Sequence, residues 1–129
     1  MKIKILLPLI VLFFLSMINI QAQIKHEVNS KVVNTMLQKD KKFVILDVRT
    51  ADEFKEGHLK NAINIDINQP DAFSKIDKLN RNDKYIVYCR THHRSGIATD
   101  HMVQTGFKTI YQMIDGFPGW AENKLPVQK

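Results

Sequence analysis

Residues 85–96 read Tyr-Ile-Val-Tyr-Cys-Arg-Thr-His-His-Arg-Ser-Gly, and they carry the decision about the fold. Tyr85 to Tyr88 have the length and β-favouring composition of a strand buried on both faces, and the residues from Ser95 onward read as a helix. Cys89, the one cysteine of the chain, stands between the two. In an open α/β sheet the loop N–H groups and the helix N-terminus face one spot at that position, so an anion placed there is stabilised. A thiolate is such an anion. Arg90 and Arg94 add two positive charges close by, and both effects enlarge the nucleophilic fraction of the sulfur. The plainer reading of Cys89 is a small buried hydrophobe.

Outward from this stretch the chain alternates helix and strand. Val32, Val33, Met36 and Leu37 predict the inward face of a helix capped by Asn29 or Ser30, and Phe43 to Leu46 predict a buried strand. Asp47 to Thr50 turn off its carboxyl end. Residues 52–55 suit a short helix stopped by Gly57, and Ala62 to Ile65 read as another short strand. A helix after Pro70 turns Phe73, Ile76 and Leu79 inward, and Asn80 to Lys84 form a polar loop into the cysteine strand. Beyond it, Ala98 and Met102 share a helix face that ends at Gly106, Thr109 to Met113 form a strand, and Gly116, Pro118 and Gly119 bend the chain before Trp120. Such alternation implies a parallel sheet with helices on both faces.

The first 22 residues are of a different kind. Lys2 and Lys4 precede the uncharged run Ile5 to Met17, and Ile20-Gln21-Ala22 closes the segment, the order of a secretory signal peptide. The expectation is therefore a signal peptide over 1–22 and one domain over 23–129, exported to the periplasm and without stable membrane association after cleavage. The chain has 129 residues, 44% apolar and 25% charged, with a net charge of +6 that includes Lys2 and Lys4. The remaining positive excess is scattered without interleaved aromatics, which argues against nucleic acid. One cysteine makes no internal disulfide, and a solitary thiol in an oxidising compartment is either buried or has redox or sulfur-transfer work. His92 and His93 beside Cys89 raise a metal site, but adjacent histidines in one short loop rarely converge on one ion. No metal or other cofactor is expected.

Three stretches, in order, resemble the rhodanese family over nearly all of residues 24–124. Leu46-Asp47-Val48-Arg49, with Glu53-Phe54 and Gly57-His58-Leu59, is similar to the opening signature of these domains. Cys89 to Arg94, followed by Ser95, resembles the active-site loop, and Asp115-Gly116-Phe117-Pro118-Gly119-Trp120 resembles the closing turn. The resemblance implies a three-layer α/β/α fold with a five-stranded parallel sheet of order 1-5-4-2-3. It also implies that Cys89 accepts sulfane sulfur as a persulfide from a small sulfur-containing anion such as thiosulfate. Cyanide, a thiol or a protein thiol would receive it. The other class of function is a persulfide carrier or a protein-binding module of the same fold.

Within that resemblance, Arg90, Thr91, His92, His93, Arg94 and Ser95 form the substrate-binding loop around the catalytic Cys89. Arg94 either binds the sulfonate oxygens of thiosulfate or steadies the loop through a carboxylate, since a guanidinium suits both geometries. Arg90 either attracts the anionic donor or is simply solvated. Asp47 and Arg49 read as a structural ion pair with the Glu53 region, His58 as a hydrogen bond to the adjoining turn, and Trp120 as core. Similar loops carry glycine or another small residue in place of His92 and His93, and histidine adopts some glycine conformations only at a cost. Asp115 in place of a glycine, and Lys60-Asn61 in place of proline-glycine, read as surface-turn changes. Four residues separate Cys89 from Arg94, which resembles the loop of the sulfurtransferases; related phosphatases have one residue more. Incubation with aryl phosphates should accordingly release no phenol above the uncatalysed rate, and hydrolysis faster than sulfur transfer would overturn the loop-length reading.

Overall fold

The computed structural model describes residues 24–129. The signal-peptide reading of residues 1–22 lies outside them. In chain order the elements are β1 (Lys25–Val28), α1 (Ser30–Lys39), β2 (Phe43–Asp47), α2 (Ala51–Glu56), β3 (His58–Leu59) and β4 (Ile63–Asn64). Then come α3 (Ala72–Asp77), β5 (Lys84–Tyr88), α4 (His93–Gln104), β6 (Thr109–Met113), α5 (Gly116–Glu122) and β7 (Val127–Gln128). Five strands form one parallel sheet in the order β1-β6-β5-β2-β4, while β3 and β7 pair antiparallel beside it. Numbered among themselves, the five sheet strands run 1-5-4-2-3, the order that the rhodanese resemblance implies.

The cysteine strand is central because it is apolar on both faces. Strand side chains alternate, so Tyr85 and Val87 join a core with Leu46, Ile76, Met102 and Phe107 beneath α3 and α4. Ile86 and Tyr88 enter the opposite core with Val33, Met113 and Trp120 beneath α1 and α5. The result is the three-layer α/β/α arrangement. Gly106 ends α4 as expected, with φ of +92° and the Phe107 N–H returning to the Met102 carbonyl at 3.1 Å.

Some expectations need correction. β1 went unrecognised because three of its four residues, Lys25, His26 and Glu27, are polar; it is an edge strand held by β6. β4 is limited to Ile63–Asn64. Val32 is 43% exposed and Phe73 44% exposed, because the inward faces are set by Val33 on α1 and by Ala72 and Ile76 on α3. One residue is a rotation of about 100° on a helix, enough to turn a neighbour outward. Phe73 stacks on His101 at the surface instead, with ring centroids 4.2 Å apart.

Asp115 also has more structural weight than a surface-turn change. Its carboxylate accepts from the Ser30 N–H at 2.8 Å and the Ser30 hydroxyl at 2.7 Å, closing the first turn of α1, while Asn29 caps Val32. Asn61 has φ of +64°, and asparagine tolerates this left-handed conformation better than most residues. Trp120 is buried as read, its indole N–H donating to the Pro126 carbonyl at 2.9 Å.

At the end of β5 the Tyr88 hydroxyl donates to Asp47 Oδ2 at 2.6 Å and accepts from the Leu59 N–H at 3.1 Å. Tyr88→Phe removes both bonds inside the core, and urea denaturation should show a loss of about 1–3 kcal/mol. An unchanged midpoint would show that neither bond contributes net stability.

Candidate active site

Cys89 follows directly on β5 and has no exposed surface. α4 begins at His93, two residues before the predicted start, so Ser95 lies in its first turn. N–H groups of a first turn have no partner within the helix. That of Ser95 donates to Cys89 Sγ at 3.3 Å, and the Ser95 hydroxyl oxygen lies 3.5 Å from the same sulfur. Strand end, loop and helix start thus meet at the sulfur, in the way an anion there requires.

The backbone on either side of the sulfur is held by distant segments. Gly116 has φ of +61°, and a Cβ at this position would stand 2.2 Å from the Arg90 carbonyl oxygen and 2.9 Å from that of Cys89. Only glycine permits so close an approach. The next residue, Phe117, donates its N–H to the Cys89 carbonyl at 2.9 Å. At the other end of the loop, Arg94 forms a bidentate pair with Glu53, at 2.7 Å to Oε1 and 3.1 Å to Oε2. The Arg94 hydrogen bonds hold the Glu53 carboxyl down to about 2, and the Glu53 carboxylate raises Arg94 in turn. Of the two roles read for Arg94, the carboxylate partner is the one present. Glu53 also completes a capping box with Thr50 at the start of α2.

Asp47 and Arg49 form a buried pair with each other, 2.8 Å apart, rather than with Glu53. His58 is placed as read, with Nδ1 2.8 Å from the Phe54 carbonyl oxygen and its ring stacked on Phe54. Arg90, Thr91, His92 and His93 are exposed. Arg90 lines a cleft with Arg49, Glu53, Glu56, Phe117 and Pro118. His92 lies on a second cleft, formed with Lys25, Glu27, Gly96, Gln112 and Ile114. Thr91 Oγ1 accepts from the His93 N–H at 3.5 Å. The backbone cost anticipated for the histidines does not arise. Among the described residues the non-glycine positive φ values belong to Asn61 and Lys124, and His92 has φ of −137°.

Sequence reasoning did not anticipate Glu53 as the partner of Arg94, Gly116 as the seat of the Cys89–Arg90 peptide, or Gln112 beside the loop. A glutamine inside the strand read over Thr109 to Met113 was a signal available for the last. The pairing of Glu53 with Arg94 left no local sign.

The assembled site holds a buried sulfur met by the N–H and hydroxyl of Ser95, and the residue next to it, Arg90, lines a charged cleft. The description of the rhodanese-like domain matches residues 30–123. The chain is 34% identical over 102 residues to rhodanese-like domain-containing protein 17 of Arabidopsis thaliana, a match covering 69% of this chain and 65% of that one, just under two thirds. It is 33% identical over 84 residues to thiosulfate sulfurtransferase GlpE of Coxiella burnetii, covering 65% of this chain and 77% of the relative. The crystal structure of a rhodanese-related protein from Thermoplasma volcanium superposes with a TM-score of 0.71 at 30% identity, covering 80% of this chain and 97% of that one.

The Glu53–Arg94 pair generates a pH prediction. Glu53 ionises at about 2 in the fold against an ordinary 4.5, so its contribution is complete above about pH 4.5 and is lost as the pH falls towards about 2. Glu53→Gln should destabilise the protein by about 1–2 kcal/mol at pH 7, between the values for exposed and buried pairs. Denaturation at a series of pH values should show this difference closing across that window. A difference that stays constant down to about pH 2 would mean that the carboxylate charge is not its source.

Proposed function

The chain belongs to the rhodanese-like domain family, and from that footing we propose that it is a sulfurtransferase working through a persulfide on Cys89. The donor is thiosulfate or a similar small sulfur anion, and the acceptor is cyanide, a thiol or a protein thiol. The observation that carries the reading is the buried Cys89 sulfur at the junction of β5 and α4, met by the N–H and hydroxyl of Ser95. The relative named a thiosulfate sulfurtransferase supports it.

In the first half-reaction the Cys89 thiolate attacks the outer sulfur of thiosulfate. A new S–S bond forms, the old one breaks, and sulfite leaves with the electron pair. In the second, the acceptor attacks the terminal sulfur of the persulfide and Cys89 leaves as a thiolate, ready for another donor. No outside oxidant or reductant enters. Arg90 draws the anion toward the cleft, the exposed residues Thr91 to His93 continue the loop beside it, and Arg94 holds the loop through Glu53. The basic and then apolar order of residues 1–22 supports reading this activity as exported, to the periplasm.

Intact mass decides the matter. After incubation with thiosulfate the protein should be one sulfur atom heavier, and cyanide should return it to its starting mass. Cys89→Ser should gain nothing. A sulfur that only a protein thiol removes would mark a carrier, and no gain of mass in the wild type would overturn the covalent route.

A further inference from the structure

Gln112 is a polar residue on an interior strand. It lies on β6 next to β5 and is 3% exposed, where apolar side chains are the rule. Burying a primary amide costs free energy unless its hydrogens find acceptors. Both find them in the cysteine loop, for Nε2 donates to the His92 carbonyl and to Ser95 Oγ, each at 2.9 Å. A carbonyl can only accept, which fixes the orientation of the amide.

The consequence falls on Ser95. Its hydroxyl oxygen accepts from Gln112, and its single hydrogen has two possible recipients, the His92 carbonyl at 3.3 Å and Cys89 Sγ at 3.5 Å. With the sulfur ionised, this hydrogen turns to it and joins the Ser95 N–H already donating at 3.3 Å. With the sulfur protonated, the S–H points to the same Ser95 oxygen, which also accepts from Gln112.

We infer that Gln112 is a positioning residue for Cys89, acting through Ser95: it holds the Ser95 hydroxyl where it donates to the thiolate. That thiolate is both the attacking form of Cys89 and the group expelled when an acceptor takes the sulfur. The inference rests on reading Cys89 as the nucleophile. Its test uses no sulfur donor, so it can fail while sulfur transfer stands.

The rate of Cys89 alkylation by iodoacetamide is followed against pH on the whole chain. The midpoint of that curve reports thiol ionisation and, unlike the limiting rate, does not depend on access to the sulfur. Gln112→Met should move the midpoint upward, so that at a pH below it the rate, relative to its own plateau, falls about threefold, half of a tenfold step on a logarithmic scale. Ser95→Ala should also raise the midpoint, and adding Gln112→Met to it should change nothing more. An unmoved midpoint in Gln112→Met, or an equal shift with and without the Ser95 hydroxyl, overturns the inference. Should Gln112→Met lose its native circular dichroism, Gln112→Glu keeps the shape but takes a hydrogen from Ser95 instead of giving one. Its midpoint should rise too, and one at or below the wild-type value overturns the inference equally.

Discussion

The carboxyl edge of the sheet depends on one buried carboxylate, that of Asp47. It accepts from the Arg49 N–H at 2.9 Å, from the Arg49 guanidinium at 2.8 Å and from the Tyr88 hydroxyl at 2.6 Å. Arg49 in turn donates to the Gly57 carbonyl at 2.6 Å and lies 4.2 Å above the Phe117 ring. Asp47 and Arg49 together therefore tie β2, β5, the turn after α2 and the start of α5. A buried ion pair of this kind is not in itself a large net stabiliser, but removing one partner costs about 3–5 kcal/mol, and that asymmetry confines the elements to one arrangement. Tyr88 immediately precedes Cys89, and Phe117 donates to the Cys89 carbonyl. The backbone leading into the sulfur is thus positioned by a cluster that never touches it.

The loop beyond the sulfur is held in the same spirit, by groups remote in the chain. Glu53 takes Arg94, Gly116 admits the Cys89–Arg90 peptide, and Gln112 spans the His92 carbonyl and the Ser95 hydroxyl. These restraints have an electrostatic consequence. Arg49 and Arg94 are each neutralised by a carboxylate, so among the described residues lining the cleft Arg90 is the cation left to meet an anion. In the function proposed above, attraction over distance rests with Arg90, and stabilisation at the sulfur with the short-range donors of Ser95.

What was legible in the sequence was local. The apolar run Tyr85 to Tyr88 identified a doubly buried strand, the polar residues after Cys89 a loop, though one two residues longer than the fold has, and Gly106 a helix end, because each depends on composition and spacing within a few residues. Alternation of such segments was enough for a parallel sheet covered on both faces, and the three ordered stretches were enough for its strand order. β1 escaped because an edge strand with polar residues has no pattern of its own and exists through its pairing with β6. Val32 and Phe73 misled because apolar character alone does not say which of two adjacent helical positions faces the sheet.

What only the tertiary structure decided was the choice of partner for each polar group. Glu53 is 41 residues from Arg94, Ser30 is 85 from Asp115, and Gln112 is 20 from His92. In a parallel sheet every return of the chain passes through a crossover, so residues that meet at one edge are necessarily far apart in sequence. The sequence by itself determined that a cysteine would stand at the end of a buried strand with cations close by. The fold alone decided that Arg94 would serve the loop through Glu53, and that a glutamine from the neighbouring strand would stand behind the serine that meets the sulfur.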